Sequence, residues 1–424
     1  YIYIYVFLFN KFQYIQWLFT RNLIQYMWGE KMKILSVNAG SSSLKFQMYE
    51  MPEETVLISG VFERIGLDNS FYTIKINGEK IKKDATLSSH EDAVNILIKE
   101  LLENKVIESL DEIKGVGHRI VHGADKYSKS LVLNEEILDD ISKLNELAPL
   151  HNPANISGVR AFMKEIPSAI QVGCFDTAFH QTIKEERFRY AVPDEWYTKY
   201  GVRKYGFHGM SHKYVSERVM HLLDKEFANV IVCHIGNGGS ISAVRDGKCV
   251  DTTMGFTPNA GIVMGSRSGD IDYGIIPYIM KKTGESIEEV DNDLNKKSGM
   301  FGVSGVSSDF RDIDAKIGEG HEQSILAHHL YVNSIVGYIA KYFVELGSLD
   351  ALCFTAGVGE NAPHIRRMVI DRLNCLGLKI DKEKNEEMRF GKEGIISSDD
   401  SICPIYVIPT DEEVVIARDT YKLI

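Results

Sequence analysis

The run Asn38-Ala39-Gly40-Ser41-Ser42-Ser43-Leu44-Lys45 concentrates the chemistry of this chain. It follows Ile34-Leu35-Ser36-Val37, which reads as a buried strand, and precedes Phe46-Gln47-Met48-Tyr49, which reads as a second strand. A glycine–serine turn between two strands gathers backbone N–H groups, hydroxyls and one ammonium at a single point. A polyphosphate needs that set of small donors, with no bulky Cβ in the way. The turn is not a Walker A loop, because the G-x-x-x-x-G-K-[ST] spacing is absent and a strand, not a helix, follows. Two more glycine-rich turns follow apolar runs: Gly236-Asn237-Gly238-Gly239-Ser240 after 231–235, and Gly357-Val358-Gly359-Glu360-Asn361 after 351–354. One such turn is ordinarily just a turn; three in one chain point to phosphate binding. The glycines of the third let a flat ring approach the backbone. Asp176 lies in an apolar frame, Phe175-Asp176-Thr177-Ala178-Phe179. A buried, unpaired aspartate is costly, so it calls for a cation or hydrogen-bond donors.

The elements that must position these residues are mixed α/β. Apolar residues recur at three- and four-residue spacing over 90–103, 134–147, 211–223 and 324–346, which predicts helices there. Short apolar runs at 231–235, 351–354 and 405–408 predict buried strands. The third turn leads into a predicted helix near Ala362-Pro363-His364, with proline at an early helical position. No proline- or serine-rich linker and no solenoid repeat interrupts the chain.

At 424 residues the chain is long for one core, so two domains are expected. Hydrophobic content of 44% and charged content of 25% are those of a globular protein in water. A formal net charge of −11 argues against nucleic acid as a partner. The six cysteines are scattered without a C-x-x-C pair, which fits reduced thiols in a cytoplasm and not a disulfide framework or a cysteine zinc site. Residues 1–31 differ in character, being rich in Tyr, Ile, Phe and Trp with no initiating Met. Their apolar run, 1–9, is far short of the ~20 residues a membrane span requires, and they lack the parts of a signal peptide. The expectation is that Met32 is the native start and that 1–31 are an extraneous extension, the alternative being an amphipathic surface anchor.

From Met32 to Ile424 the chain resembles the acetate kinase family, within the actin, Hsp70 and sugar-kinase fold superfamily. The resemblance is carried by the first turn, by Gly117-His118-Arg119-Ile120-Val121-His122-Gly123, by Pro149-Leu150-His151-Asn152-Pro153, and by Phe175-Asp176-Thr177-Ala178-Phe179-His180. It continues through Gly206-Phe207-His208-Gly209-Met210-Ser211-His212, His234 to Ser240, Gly265-Ser266-Arg267-Ser268-Gly269-Asp270, Ser308-Asp309-Phe310-Arg311, Thr355 to Asn361 and Pro409-Thr410-Asp411-Glu412. It implies an α/β, ribonuclease H-like pair of domains with the site in the cleft between them. The first would cover 32–178, completed by 410–424, and the second, nucleotide-binding domain 179–409.

The resemblance also implies reversible phosphoryl transfer from ATP to acetate, giving ADP and acetyl phosphate, a step toward acetyl-CoA. The transfer would be direct and in line, with Mg²⁺ (Mn²⁺ as a substitute). Arg119 and Arg267 would hold the carboxylate and the transferring group, as planar guanidinium groups can. His208 and His151 would sit at the transferring phosphate, and Asp176 near the metal. Val121, Leu150, Phe207 and Pro258 would line a pocket for the acetyl methyl group, with Arg119 beside them. The nucleotide would meet Ser43, Lys45, His234, Asn237, Gly238, Gly239, Asp309, Phe310, Arg311, Gly357, Val358, Gly359 and Asn361. The metal would be associated with Asn38 and Glu412. His212 would have a structural or nucleotide-side role. A homodimer with no nucleic-acid or membrane partner is implied, in the cytoplasm. Met210, Ala124-Asp125, Asn259-Ala260, Tyr273 and Asp411 depart from the usual pattern, and none removes a charge assigned to catalysis. A propionate or other short-chain acyl kinase would share every phosphate motif. A sensor of the same fold without chemistry would be expected to lack Arg119, Arg267, His208, Asp176 or Glu412, and all are present.

Overall fold

The computed structural model describes residues 30–149 and 151–424. The reading of 1–31 therefore falls outside it, Glu30 and Lys31 excepted, as does Leu150. Two mixed sheets organise the chain. The first contains β1 (Met32–Ala39), β2 (Ser43–Met51), β3 (Thr55–Glu63), β4 (Phe71–Ile76), β5 (Glu79–Asp84), β6 (Ile113–Ile120), β7 (Leu131–Val132) and β8 (Ile170–Phe175), in the order β5-β4-β3-β2-β1-β6-β8-β7. The second contains β9 (Asn229–Ile235), β10 (Gly239–Arg245), β11 (Lys248–Thr252), β12 (Ala351–Thr355), β13 (Gly394–Ile395) and β14 (Ile405–Val407), in the order β11-β10-β9-β12-β14-β13.

The same plan occurs twice. In each sheet three antiparallel strands (β3-β2-β1 and β11-β10-β9) continue into two parallel ones (β6-β8 and β12-β14). The Asn38–Lys45 hairpin and the Gly236–Gly239 hairpin thus occupy equivalent corners. The central strands are apolar along their length because both faces are covered: β9 has six buried residues in succession from Val230 to Ile235. The edge strand β5, Glu-Lys-Ile-Lys-Lys-Asp, is almost wholly exposed, and its charges blunt that edge.

Helices fall where the periodicity puts them, with adjusted ends. His90–Glu103 begins with a Ser89/Asp92 capping box and buries Ala93, Val94, Leu97 and Leu101 on one face. The long helix Glu322–Leu346 ends at Gly347 in the left-handed conformation (φ 74°). The helix expected over 134–147 closes early, as Glu135–Ser142. The third turn is itself a short helix, Ala356–Asn361, ahead of the helix Pro363–Arg372.

The last helix, Glu412–Tyr421, returns from the second sheet to pack on the first. It buries Val414, Val415, Ile416 and Ala417. Two glycines of β6 make room for it: a Cβ on Gly117 would lie 2.2 Å from Thr420 Oγ1, and one on Gly115 would lie 2.8 Å from Thr420 Cγ2. Gly117→Ala is therefore an overpacking change, expected to cost about 1–3 kcal/mol. Urea unfolding should show a lower midpoint for Gly117→Ala, and an unshifted midpoint would refute the close-packed groove.

Candidate active site

Three neighbouring parallel strands end side by side: β1 at Ala39, just past Asn38; β6 at Ile120, just past Arg119; and β8 at Phe175, just before Asp176. Strand ends of this kind are where open α/β sheets place ligand chemistry. Arg119 Nη2 donates to Asp176 Oδ2 at 2.5 Å, and Arg119 Nη1 reaches Asn38 Oδ1 at 3.4 Å. The Asp176 side chain is only 1% exposed. Its other oxygen, Oδ1, has no partner among the described residues. Burial opposes the charge on Arg119, but Asp176 and Glu412 more than offset it, and the pKa is raised.

Glu412 starts the terminal helix, whose cap is Asp411 Oδ1 accepting from Val414 N at 3.0 Å. Burial first, then the nearby Asp176 and Glu413 carboxylates, push the Glu412 pKa up to about 7, against the pull of Arg119 and Lys45. An orphaned carboxylate oxygen, a second carboxylate reluctant to ionise and an amide oxygen form an all-oxygen set suited to a hard cation such as Mg²⁺, which takes few protein ligands.

His208 faces this group from the head of the helix Gly209–Leu222, in the left-handed region (φ 58°). Gly209 N donates to the Asp176 carbonyl at 3.1 Å, and a Cβ on Gly209 would lie 2.1 Å from that oxygen. Only glycine lets the helix start there. His208 Nδ1 meets Ser240 Oγ at 2.8 Å, and His212 Nε2 meets the same oxygen at 2.7 Å. The His212 ring is fully buried and the His208 ring is partly buried. Burial first, then neighbouring imidazoles, hold both pKa values well below the ordinary one.

One hydroxyl hydrogen between two neutral rings fixes the tautomers. His212 Nδ1 has no partner. An orphan lone pair is cheaper to bury than an orphan N–H, so His212 carries its hydrogen on Nε2 and donates to Ser240. Ser240 then donates to His208 Nδ1, which leaves His208 Nε2–H free toward the cleft. A parallel relay serves His234, which stacks on His208 with ring centroids 4.1 Å apart. Thr410 donates to Ser211 Oγ at 2.8 Å, and Ser211 lies 2.7 Å from His234 Nδ1.

Arg267 comes from the loop after β11. Its Nη1 touches the Pro258 carbonyl at 3.3 Å and Met264 Sδ at 3.9 Å. No carboxylate pairs with it among the described residues, and burial lowers its pKa. A Cβ built on Gly238 would lie 3.7 Å from Arg267 Nη1 and 3.8 Å from His208 Nε2, so both donors converge over that glycine. Beside them Val121 and Phe207 pack with Ala148, Met254 and Met264 in a small apolar cluster. His151 caps the helix Asn152–Glu165 and opens to solvent in the cleft; surrounding protein, then the charges of Arg119 and Arg267, lower its pKa.

A separate cavity of about 650 Å³ gathers Asn237, Asp309, Phe310, Arg311, Gly357, Val358 and Asn361. His234, Gly239 and Gly359 are buried behind it and do not line it. Asp309 caps the helix Phe310–Gly318 and pairs with Arg311 at 2.6 Å. Ser43 and Lys45 lie on the first sheet instead, where Lys45 Nζ pairs with Glu413 at 2.5 Å. Sequence reasoning passed over Ser240, Ser211, Thr410, Met254, Met264 and Phe390. Phe390 is 88% exposed at the cavity, and its N–H donates to Asn361 Oδ1 at 2.9 Å. An aromatic directly before a glycine, Phe390-Gly391, was the one signal available for it.

The raised Glu412 pKa has a consequence for stability. A carboxyl whose pKa is higher folded than unfolded destabilises the fold once ionised. The cost is absent below the unfolded value of 4.5 and complete above about 7. Glu412→Gln should therefore raise the Tm of the ligand-free protein at pH 8, with the gain fading as pH falls toward 4.5. A gain that is equal at both ends would refute the assignment.

Comparison with known proteins agrees with this arrangement. Residues 33–418 match the model of the Acetokinase family. An acetate kinase of Bacillus cereus is 53% identical over 393 residues, covering 92% of this chain and 98% of that protein. The crystal structure of Porphyromonas gingivalis acetate kinase superposes with a TM-score of 0.87 at 43% identity, over 92% of this chain and 99% of that one. A propionate kinase from Francisella tularensis superposes with the same TM-score, 0.87, at 42% identity, over 93% and 100%. The duplicated sheets, the cleft residues and these likenesses lead to one assignment: the chain belongs to the acetokinase family and has its two-part, actin-like α/β fold.

Proposed function

We propose that this chain is an acetate kinase, transferring the γ-phosphoryl group of ATP to acetate and back. One observation carries the reading: Arg267 Nη1 and His208 Nε2 converge over Gly238, near the Arg119–Asp176 pair and beside the apolar cluster of Val121 and Phe207. An acetate oxygen attacks the γ-phosphorus while its bond to the bridging oxygen breaks, so acetyl phosphate and ADP form with no proton to move. Charge spreads over the equatorial phosphoryl oxygens, and catalysis of such a step is mostly positioning and electrostatics. Arg267 and His208 N–H supply fixed donors there. Neutral His208 donates without adding a charge that must be desolvated. Arg119 orients the carboxylate, with His151 at the cleft mouth and Val121, Phe207 and Pro258 around the methyl group. Mg²⁺, held by Asp176 and Glu412 with Asn38 nearby, would neutralise phosphate charge when bound. The larger cavity takes the nucleoside, where Phe390 offers a face for the base.

The division into 32–178 with 410–424 and 179–409 gives two bodies that close on nucleotide, pivoting near 177–180 and 409–412. Closure excludes water that would compete for the phosphoryl group. Ile271, Tyr273, Ile275 and Tyr278 are exposed apolar residues close together in sequence, Tyr273 being 84% exposed, and they favour a homodimer. No described helix is long and apolar enough to cross a membrane. The free cysteines suit a reducing cytoplasm, where acetyl phosphate would feed acetyl-CoA formation. Propionate is the second reading, favoured by the Francisella likeness, because one methylene changes affinity by only about 1–3 kcal/mol in an apolar pocket.

A hydroxamate assay with ATP, Mg²⁺ and acetate, propionate or butyrate tests the proposal. Acetate should give the highest kcat/KM. Arg267→Ala should lower turnover by roughly 10²–10³, the cost of one lost transition-state donor. Turnover near wild type at saturating substrates would remove Arg267 from the chemistry. Ser240→Ala should lower kcat roughly tenfold, about 1.4 kcal/mol, with KM values little changed. Imidazole ¹⁵N shifts should report Nε2–H on His208 in the wild type; an Nδ1–H tautomer would sink the relay.

A further inference from the structure

Three helices of the second half bring Asp314, His328 and His364 together at the rim of the large cavity. Asp314 lies on the helix Phe310–Gly318, His328 on Glu322–Leu346 and His364 on Pro363–Arg372. His328 Nε2 is 3.1 Å and His364 Nε2 is 3.2 Å from Asp314 Oδ1, and the three donor atoms all lie within 4.8 Å of one another. The two rings stack with centroids 5.7 Å apart and planes 14° apart. His328 is 4% exposed and is backed by the Phe310 ring, so its Nε2 is a buried polar atom.

The distances suit hydrogen bonds, yet neither Nε2 makes one with any described residue. An imidazole N–H or lone pair lies in the ring plane, so its direction is fixed; here both directions miss the carboxylate oxygen. A hydrogen-bonded His–Asp–His triad would aim at it. Ligands of one tetrahedral ion aim at a common point between them. With bonds of about 2.0–2.1 Å, ligand atoms of such an ion stand roughly 3.3 Å apart. The two separations from Asp314 Oδ1, 3.1 and 3.2 Å, are of that size, and the two imidazole nitrogens lie within 4.8 Å of each other.

We propose that Asp314, His328 and His364 bind a zinc-class divalent ion, with a fourth position open to the cavity. Two imidazoles and one carboxylate select Zn²⁺ or Co²⁺ over Mg²⁺, which prefers oxygen donors and octahedral geometry. This site is separate from the oxygen set at Asp176 and Glu412. Asp314 and His364 line the cavity while His328 backs it, so the remaining position faces water or whatever fills the cavity. The proposal does not depend on the kinase reading, because the ion can be measured without nucleotide.

Full-length protein, freed of metal with a chelator, is titrated with Co²⁺ alone. Wild type and the exposed-histidine control His221→Ala should each take one equivalent, with the intense visible bands of a four-coordinate ion. Azide should shift those bands by entering the open position. His364→Ala, whose ring is partly exposed and whose loss spares the core, should weaken binding at least tenfold. Zn²⁺ should raise the Tm of wild type but not of His364→Ala, and excess Mg²⁺ should not displace Co²⁺. Absence of bands in wild type, bands unchanged in His364→Ala, displacement by Mg²⁺, or insensitivity to azide would each overturn the proposal as stated.

Discussion

Burial of the Arg119–Asp176 ion pair is the constraint to which the rest of the cleft is fitted. A buried pair gains little over apolar packing, but losing one partner strands the other charge at about 3–5 kcal/mol. The pair is tolerable only because its surroundings are polar and fixed. Asn38 reaches Arg119 from the neighbouring strand. The backbone of Asp176 is tied to the head of the His208 helix through Gly209. Glu412 arrives on the terminal helix, which the bare β6 glycines allow to approach. Asp176 Oδ1 meets no donor among the described residues, and a cation would satisfy it.

The second half solves a different problem, how to present donors without stacking up positive charge. His180, His212 and His234 are enclosed and His208 is partly so, and desolvation lowers every one of their pKa values. Neutral rings can pack against one another and against Arg119 and Arg267. Their N–H directions are then set by hydroxyls, Ser240 and Ser211, and not by charge. The left-handed backbone at His208 turns its ring into the cleft at a conformational cost of roughly 1–2 kcal/mol, which the helix behind it and the stacked His234 hold in place.

How much of this was legible in the sequence follows from what is local. Apolar runs such as 231–235 and 351–354 announce strands because each residue carries its own burial signal. The glycine turns announce themselves by composition, and the family motifs carry the arginines, Asp176 and Glu412. Pairing across the fold carries no such mark. Ser240 is 32 residues from His208 in sequence, and nothing in either stretch says that they touch. Met254 and Met264 read as plain core until Val121 and Phe207 are seen against them. Strands β3 to β5 were missed because their residues are half polar, the exposed side of a meander. The short helix at Ala356–Asn361 was read as a turn because its glycines argue against helix, and strand β12 with the helix after it imposes one anyway. Nothing in the Lys45 stretch announces that Glu413, far along the chain, pairs with it.

The order in which these pieces leave the ribosome gives the terminal helix another meaning. The strands of the first sheet are synthesised early, yet the groove over Gly115 and Gly117 stays uncovered until 412–421 emerge, after every strand of the second sheet. The last carboxylate of the cleft travels with that helix. A nascent chain can therefore hold both sheets and both arginines and still lack a finished site. Docking of 412–421 is thus the step that finishes the cleft, while the cavity built from 236–390 is already assembled before that helix is made.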